Sequence, residues 1–239
     1  MDNIERLKNI IKESKNIVVF SGAGLSTNSG IPDFRSADGI YNQKTSSNYT
    51  PEEIISHSFF MKYPEEFYKF YFTKMVYLDA KPNPAHYYFA ELEKDKNVTI
   101  VTQNIDNLHQ LAGSTNVVEL HGSTKRNYCM KCNTFYDIEE LDQTKVPYCS
   151  CGGMIKPDVV LYEEPLDDNE IGKAIKAIRN ADTMIVVGTS LTVYPAAGFV
   201  RHFRGNNLVL LNKSQTQYDS VADVVIHEDI VDIIKKIKE

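Results

Sequence analysis

Four thiols are the first candidates for chemistry. Cys129 and Cys132 form C-x2-C, sixteen residues intervene, and Cys149 and Cys151 form C-x-C. Two close thiol pairs on short turns can close a tetrahedral zinc site. Four thiolates leave no position for a catalytic water, so the expected role of such a metal is structural. Gly152-Gly153 directly after the second pair supplies the turn freedom that backbone facing sulfur needs. Two disulfides are the other reading of the same residues; a reducing compartment favours metal.

A second group suits a nucleotide. Gly22-Ala23-Gly24-Leu25-Ser26 follows an apolar run and can bring bare backbone close to a phosphate. It is not G-x-G-x-x-G, because position 27 is Thr, and no Gly-Lys-Ser/Thr follows to make a P-loop. A tight turn would use the same glycines. Close behind come Pro32-Asp33-Phe34-Arg35: a carboxylate, an aromatic face that can shield a reactive sugar carbon from water, and a guanidinium suited to phosphate or carboxylate. A salt-bridged loop with a core Phe is the alternative. Thr102-Gln103-Asn104-Ile105-Asp106 offers an amide pair and a carboxylate for a ribose or a carboxamide, although Asp106 could equally cap a helix. His121-Gly122 offers an imidazole that can act as a general base near neutral pH, or one that is simply structural. Gly188-Thr189-Ser190 and Asn212 add further small polar groups.

The elements that would position these groups are legible as apolar runs. Ile17-Val18-Val19-Phe20 reads as a buried parallel strand, and similar runs recur around residues 98–101, 117–120, 159–161, 184–187, 208–211 and 224–226. Helical patterns lie over 85–94, 105–112, 171–179, 196–203 and 230–238, and an amphipathic helix over 1–15. Alternation of strand and helix predicts an α/β fold, a Rossmann-like doubly wound parallel sheet. The candidate groups then fall at strand ends, where such folds place ligands. Two stretches interrupt the alternation. Residues 36–80 hold many aromatics at mixed helical spacings, read as a small helical module with an aromatic core, or with some rings lining an apolar channel. Residues 125–156 hold the cysteines.

Bulk properties agree with a single ordinary globule. The chain has 239 residues, 42% hydrophobic and 24% charged, enough for one large domain with inserted modules. A formal charge of −6 disfavours general binding to nucleic acid or to an anionic membrane and suits a basic partner such as a lysine-bearing peptide. No signal-like segment and no apolar run of ~18 residues is visible, so the expected location is the cytoplasm.

Taken together, the Gly22 to Arg35 motif, Gln103-Asn104-Ile105-Asp106, His121-Gly122, the four cysteines, Gly188-Thr189-Ser190 and Asn212 resemble the sirtuins of bacterial type, NAD-dependent protein-lysine deacylases. The resemblance covers nearly the whole chain. It implies a Rossmann-like NAD-binding domain over 1–35, 80–124 and 157–239, a helical module over 36–79 and a zinc-binding module over 125–156 holding one structural Zn²⁺. It implies NAD as co-substrate and an acyl-lysine peptide as partner, with no nucleic acid, no membrane and a monomeric state expected. Gly22, Ala23, Thr27, Phe34 and Arg35 would line the pyrophosphate and ribose part of the NAD site. Gln103 and Asn104 would approach the nicotinamide ribose, with Asn104 counted as catalytic beside the general base His121. Ile105 and Asp106 would form the nicotinamide pocket. Gly188, Thr189, Ser190 and Asn212 would hold the adenosine half, with Asp229 and Ile230 near the adenine. Val159, Val160, Leu161 and Tyr162, together with the loop around Val193-Tyr194, would clamp the peptide as an added strand.

Two departures from the family pattern stand out. After Pro157-Asp158-Val159-Val160 the family usually has an aromatic, a Gly and a Glu; this chain has Tyr162-Glu163-Glu164. Relatives that remove acidic acyl groups carry Tyr-x-x-Arg in the helical module, where this chain aligns Phe70 and Thr73, so a preference for uncharged acyl groups is expected. The competing functions are a protein ADP-ribosyltransferase on the same NAD site, a non-catalytic NAD-sensing zinc adaptor, and a hydride-transferring dehydrogenase. The adaptor needs neither His121 nor Asn104, and the dehydrogenase lacks a complete glycine fingerprint.

Overall fold

The computed structural model describes residues 2–34, 36, 39–42 and 49–239. In chain order its elements are α1 (Asn3–Glu13), β1 (Asn16–Ser21), α2 (Pro51–Ile54), α3 (His57–Lys62), α4 (Pro64–Lys74), α5 (Pro84–Leu92), β2 (Asn97–Thr102), α6 (Leu108–Leu111), β3 (Val117–Glu119), β4 (Gly122–Cys129), β5 (Phe135–Asp137), β6 (Ile155–Val159), α7 (Asp168–Asn180), β7 (Thr183–Val187), β8 (Asn207–Leu211), β9 (Val224–Ile226) and α8 (Ile230–Lys238).

Six strands form one parallel sheet in the order β3-β2-β1-β7-β8-β9. The chain works outward from β1 in one direction, then returns to β7 and works outward in the other. The strand order therefore reverses between β1 and β7. At such a reversal the loops leaving the two strands part and open a crevice at their carboxyl ends.

Alternation along the strands sorts the core into two layers. Ile17, Val19, Ile185, Val187, Val209 and Leu211 face α1, α5 and α8, which contribute Leu7, Ile11, Phe89, Ile233 and Ile234. Val18, Phe20, Met184, Val186, Leu208 and Leu210 face α7 and the turn over Ala196–His202. Side-chain caps set where the covering helices begin: Asp2 accepts from the Ile4 and Glu5 amides, Asn83 from Ala85 ahead of Pro84, and Asp167 from Asn169 and Glu170.

A third core joins the two interruptions. Phe59, Phe60, Phe67, Tyr68 and Tyr71 of α3 and α4 pack with Ile138, Leu141, Ile155, Val159 and Leu161. The helical module is thus built on aromatic burial, and it leans on a separate three-stranded antiparallel sheet ordered β5-β4-β6.

Several expectations need correction. The run at 159–161 is not a strand of the parallel sheet: β6 ends at Val159 and pairs antiparallel with β4. Its alternation of buried Ile155, Pro157 and Val159 with partly exposed Lys156 and Asp158 is that of a sheet with one covered face. Strand β4, Gly-Ser-Thr-Lys-Arg-Asn-Tyr-Cys, has no apolar run and gave no signal. The helix expected over 105–112 shrinks to Leu108–Leu111, because Asn107 holds a left-handed φ of 63°. Residues 196–202 form a 3-10 rather than an α-helix.

Candidate active site

The loops after β1 and β7 interlock at the reversal of the sheet. The Gly22 amide donates to the Val187 carbonyl at 3.1 Å, and Gly24 to the Gly188 carbonyl at 2.8 Å. A Cβ at Gly22 would stand 2.6 Å from Thr189 Cβ, and one at Gly24 would stand 2.9 Å from the Gly188 oxygen. Gly188 itself has φ 61° and no room for a Cβ beside the Leu25 amide. The expectation that these glycines free backbone for a phosphate is therefore incomplete; here they let two loops pack on one another.

Behind this pair sits the segment after β2. Asn104 is buried, and its Nδ2 donates to the Gly22 carbonyl at 3.2 Å and to Ser26 Oγ at 3.1 Å. Ser26 Oγ donates to Asp106 Oδ2 at 2.6 Å. The other carboxylate oxygen of Asp106 accepts from the Leu108 amide at 2.9 Å, although the N-cap position of α6 belongs to Asn107. Burial pushes the Asp106 carboxyl above its usual range, while Ser26 and the Leu108 amide work against the rise. Gln103 Nε2 reaches across to Thr189 Oγ1 at 3.0 Å, tying β2 to the loop after β7.

His121 stands just past β3. Its Nδ1 lies 2.9 Å from the Gln103 carbonyl, a contact that requires the proton on Nδ1 and leaves Nε2 as the basic atom. Burial lowers its pKa from the ordinary imidazole value, and the Gln103 carbonyl offsets part of the fall. The ring is therefore neutral at pH 7. Gly122 is needed next to it: φ is 73°, and a Cβ would collide with the Asp158 carbonyl where β4 meets β6. That close crossing brings the Val160 amide to the His121 carbonyl at 3.0 Å.

These segments surround a cavity of about 250 Å³. Its polar end carries Ser26, Gln103, Asn104, Asp106 and His121, and its apolar flank Ile31, Phe34, Ile40, Met75, Leu161 and Leu166. Ala23, Phe34, Gln103, Asn104, Ile105, Asp106, His121, Val159, Val160, Leu161, Tyr162 and Val193 all line this one space, so residues far apart in the sequence converge on it. The remaining expected residues lie elsewhere. Gly22, Gly188 and Thr189 shape the loops behind the cavity. Asn212 locks the Thr189 backbone, accepting from its amide at 2.9 Å and donating to its carbonyl at 2.6 Å. Thr27 donates to the Gly24 carbonyl at 3.1 Å, and Ser190 pairs with Thr192 at 2.8 Å. Asp229 caps α8 and binds Asn28 and Lys213, while Ile230 is a buried core side chain. Arg35 lies outside the described residues. Lys74, Met75 and Tyr77 line the cavity and were not expected there, whereas Tyr194, expected beside Val193, also lines it. Only the aromatic channel reading of the helical module pointed toward Tyr77, and nothing pointed toward Met75.

The four cysteine sulfurs lie within 4.8 Å of one another. Sγ to Sγ distances are 3.5 Å for Cys129 and Cys151, 3.6 Å for Cys132 and Cys149, and 3.4 Å for Cys132 and Cys151. Tetrahedral zinc with bonds of about 2.3 Å asks for sulfurs about 3.8 Å apart, so the set fits the metal. A disulfide needs about 2.05 Å, and all four thiols are free. Backbone amides of Lys131 and Cys151 point at Cys129 and Cys149 sulfur at 3.4 and 3.5 Å. Gly153 is required beside them, since its Cβ would lie 2.6 Å from Cys129 Sγ.

The profile of the Sir2 family matches residues 22–195. The chain belongs to the Sir2 family. This Sir2 chain is 60% identical over 240 residues to the NAD-dependent protein deacetylase of Clostridium perfringens, covering 99% of this chain and 98% of that one. Among solved structures it is similar to Sir2 bound to acetylated peptide, with a TM-score of 0.86, 35% identity, and 99% and 97% of the two chains covered. A Sir2 homologue mutant in complex with ADP ribose gives a TM-score of 0.88 at 35% identity, with coverage of 100% and 97%.

One expectation drawn from the Sir2 pattern shifts. Phe70 is buried in the aromatic core, and Thr73 is exposed with its hydroxyl donating to the Lys69 carbonyl at 2.6 Å. Neither lines the cavity. Helix α4 turns them away, and its last residue, Lys74, is the one that reaches the lining.

Proposed function

We infer that this chain is an NAD-dependent protein-lysine deacylase that removes uncharged acyl groups, acetyl among them. The observation that carries the reading is the single cavity in which Asn104, Asp106 and His121 meet the peptide-facing walls at Val159, Val160, Leu161, Tyr162 and Val193. The full-length match to a bacterial NAD-dependent protein deacetylase supports it. In this reading the body over 1–35, 80–124 and 157–239 carries NAD, the module over 36–79 covers it, and the module over 125–156 holds zinc.

NAD, as co-substrate, would supply an electrophilic ribose carbon for the acyl oxygen, with nicotinamide as the leaving group; one water is consumed overall, so the products would be nicotinamide, free lysine and O-acyl-ADP-ribose. Asp106, with Ile105 beside it, holds the carboxamide of the departing ring. A carboxyl kept from full charge by burial can offer either a donor or an acceptor to that amide. Asn104, anchored by Gly22 and Ser26, orients the ribose beside it. His121 takes a proton from a ribose hydroxyl on Nε2, since Nδ1 is committed to Gln103. Phe34, on the cavity wall, would shield the reacting carbon from water or returning nicotinamide. Cys129, Cys132, Cys149 and Cys151 hold one zinc, which orders the small sheet and takes no part in bond making.

The enzyme works as a monomer on acyl-lysine peptides, without nucleic acid or membrane. No helix among the described residues is long and apolar enough to cross a membrane. The cytoplasm keeps four thiols reduced and open to metal. The test is mass spectrometry of an acetyl-lysine peptide incubated with and without NAD. Loss of the acetyl group only with NAD is the expected result. Transfer of label from adenine-labelled NAD onto protein, with the acetyl group retained, would instead make it an ADP-ribosyltransferase.

A further inference from the structure

Glu163 stands where the family usually has glycine, and its backbone shows why glycine is usual: φ is 75°, in the left-handed region that residues with a Cβ rarely adopt. The side chain has a specific attachment. Oε2 accepts from the Ser58 amide at 2.9 Å, and Oε1 accepts from the Ser58 hydroxyl at 3.0 Å. Ser58 lies in the first turn of α3 in the helical module. The neighbours of Glu163 are tied to the same place. The Tyr162 amide donates to the Ile55 carbonyl at 3.1 Å, and its carbonyl accepts from the His57 amide at 3.0 Å. Glu164 accepts from His57 Nδ1 at 2.7 Å, from Lys156 Nζ at 3.1 Å and from the Leu161 amide at 2.9 Å. Leu161, Tyr162, Glu163 and Glu164 all line the cavity.

The wall of the cavity is thus fastened to the turn between α2 and α3. Among the described residues, the backbone N–H and C=O of Glu163 take no hydrogen-bond partner, so both remain available to an added strand. We propose that Glu163 is a positioning residue for the acyl-lysine peptide: its bridge to Ser58 holds this edge in the strained conformation that presents those two groups to the groove. The proposal rests on the reading of the 159–162 wall as the peptide-binding edge. Both carboxylate oxygens face Ser58, so Glu163 acts through geometry and not by reading a charge on the peptide.

Steady-state kinetics with an acetyl-lysine peptide, NAD titration in the absence of peptide, and thermal melts decide the matter. Glu163→Ala is expected to raise the peptide KM about tenfold with kcat within about threefold, the signature of lost binding common to ground and transition states. NAD affinity should not move. Glu163→Gln can keep both contacts, its carbonyl accepting from the Ser58 amide and its NH₂ donating to Ser58 Oγ, so its KM should stay within about twofold of wild type. Glu163→Gly relieves the left-handed strain but loses the bridge; it should raise KM like Ala while melting no lower than wild type. A purely structural role would move KM and melting temperature together. Wild-type KM in both the Ala and Gly variants overturns the proposal, as does a Gln variant that behaves like Ala. If the wild-type protein shows no NAD-dependent turnover of the peptide, the deacylase reading falls and this proposal falls with it.

Discussion

At the scale of single residues, His121 carries the sharpest prediction. His121→Ala should lower deacetylation by roughly 10²–10⁴, the range for losing a positioned acid or base. Nicotinamide leaves before the base is needed, so exchange of nicotinamide into NAD in the presence of peptide should survive much better; equal loss of both rates with binding intact would remove His121 from the assigned role. Burial lowers the pKa of this imidazole, and only its neutral form can accept a proton. The acid limb of kcat/KM against pH should therefore lie below the ~6.5 of a free imidazole. Acyl choice belongs to this scale too. Ile31, Phe34, Met75 and Leu161 make this flank of the lining apolar, and desolvating a carboxylate against it is costly. Acetyl-, propionyl- and longer fatty acyl-lysine should thus exceed succinyl-lysine by about tenfold or more in kcat/KM on one peptide. A succinyl preference would point to Lys74, the cation that α4 brings to the lining.

At the scale of elements, the site depends on how closely the loops after β1 and β7 approach. Gly188 has a left-handed φ of 61° and abuts the Leu25 amide, so an added methyl group meets backbone, which cannot swing aside. Gly188→Ala should destabilise the fold by about 1–3 kcal/mol and weaken NAD binding, because Thr189, Asn212 and Gln103 are all anchored through that loop. Denaturant unfolding and NAD titration on the same protein check this. A substitution at Gly172, on the exposed side of α7 with nothing near its Cβ, is the matching control and should be neutral or stabilising.

At the scale of the molecule, the aromatic core connects the zinc module to the helical module through Tyr68, Tyr71, Ile138 and Ile155. Tyr68 reinforces the join by donating from its hydroxyl to the Ile155 carbonyl. Removing the metal should therefore loosen both modules, and with them the peptide wall at 161–164, while the six-stranded sheet has its own two cores. Cys132→Ala or chelation should lower the melting temperature and peptide turnover, and should abolish the one-to-one zinc content measured by elemental analysis. Zinc-free protein that keeps full turnover and an unchanged melt would contradict the structural role.

Local chemistry made much of this protein legible from sequence. The cysteine spacing, the β-branched runs of β1, β2, β7 and β8, and polar groups at strand ends each follow from short-range geometry, so residue types alone pointed to metal, sheet and cavity floor. The resemblance of their combination to sirtuins supplied the activity. Other features depend on partners distant in the chain. Strand β4 is polar and becomes a strand only because β5 and β6 pair with it. Residues 159–161 look like sheet core, yet β6 belongs to the small sheet, since its covered face meets aromatics from α4. Phe70 and Thr73 satisfy helical spacing, but only packing decides which side of α4 faces the cavity. Glu163 reads as an out-of-place charge until Ser58, more than a hundred positions away, is seen to hold it. Backbone pattern is a local property and can be read along the chain; which side chain meets which is settled by tertiary packing.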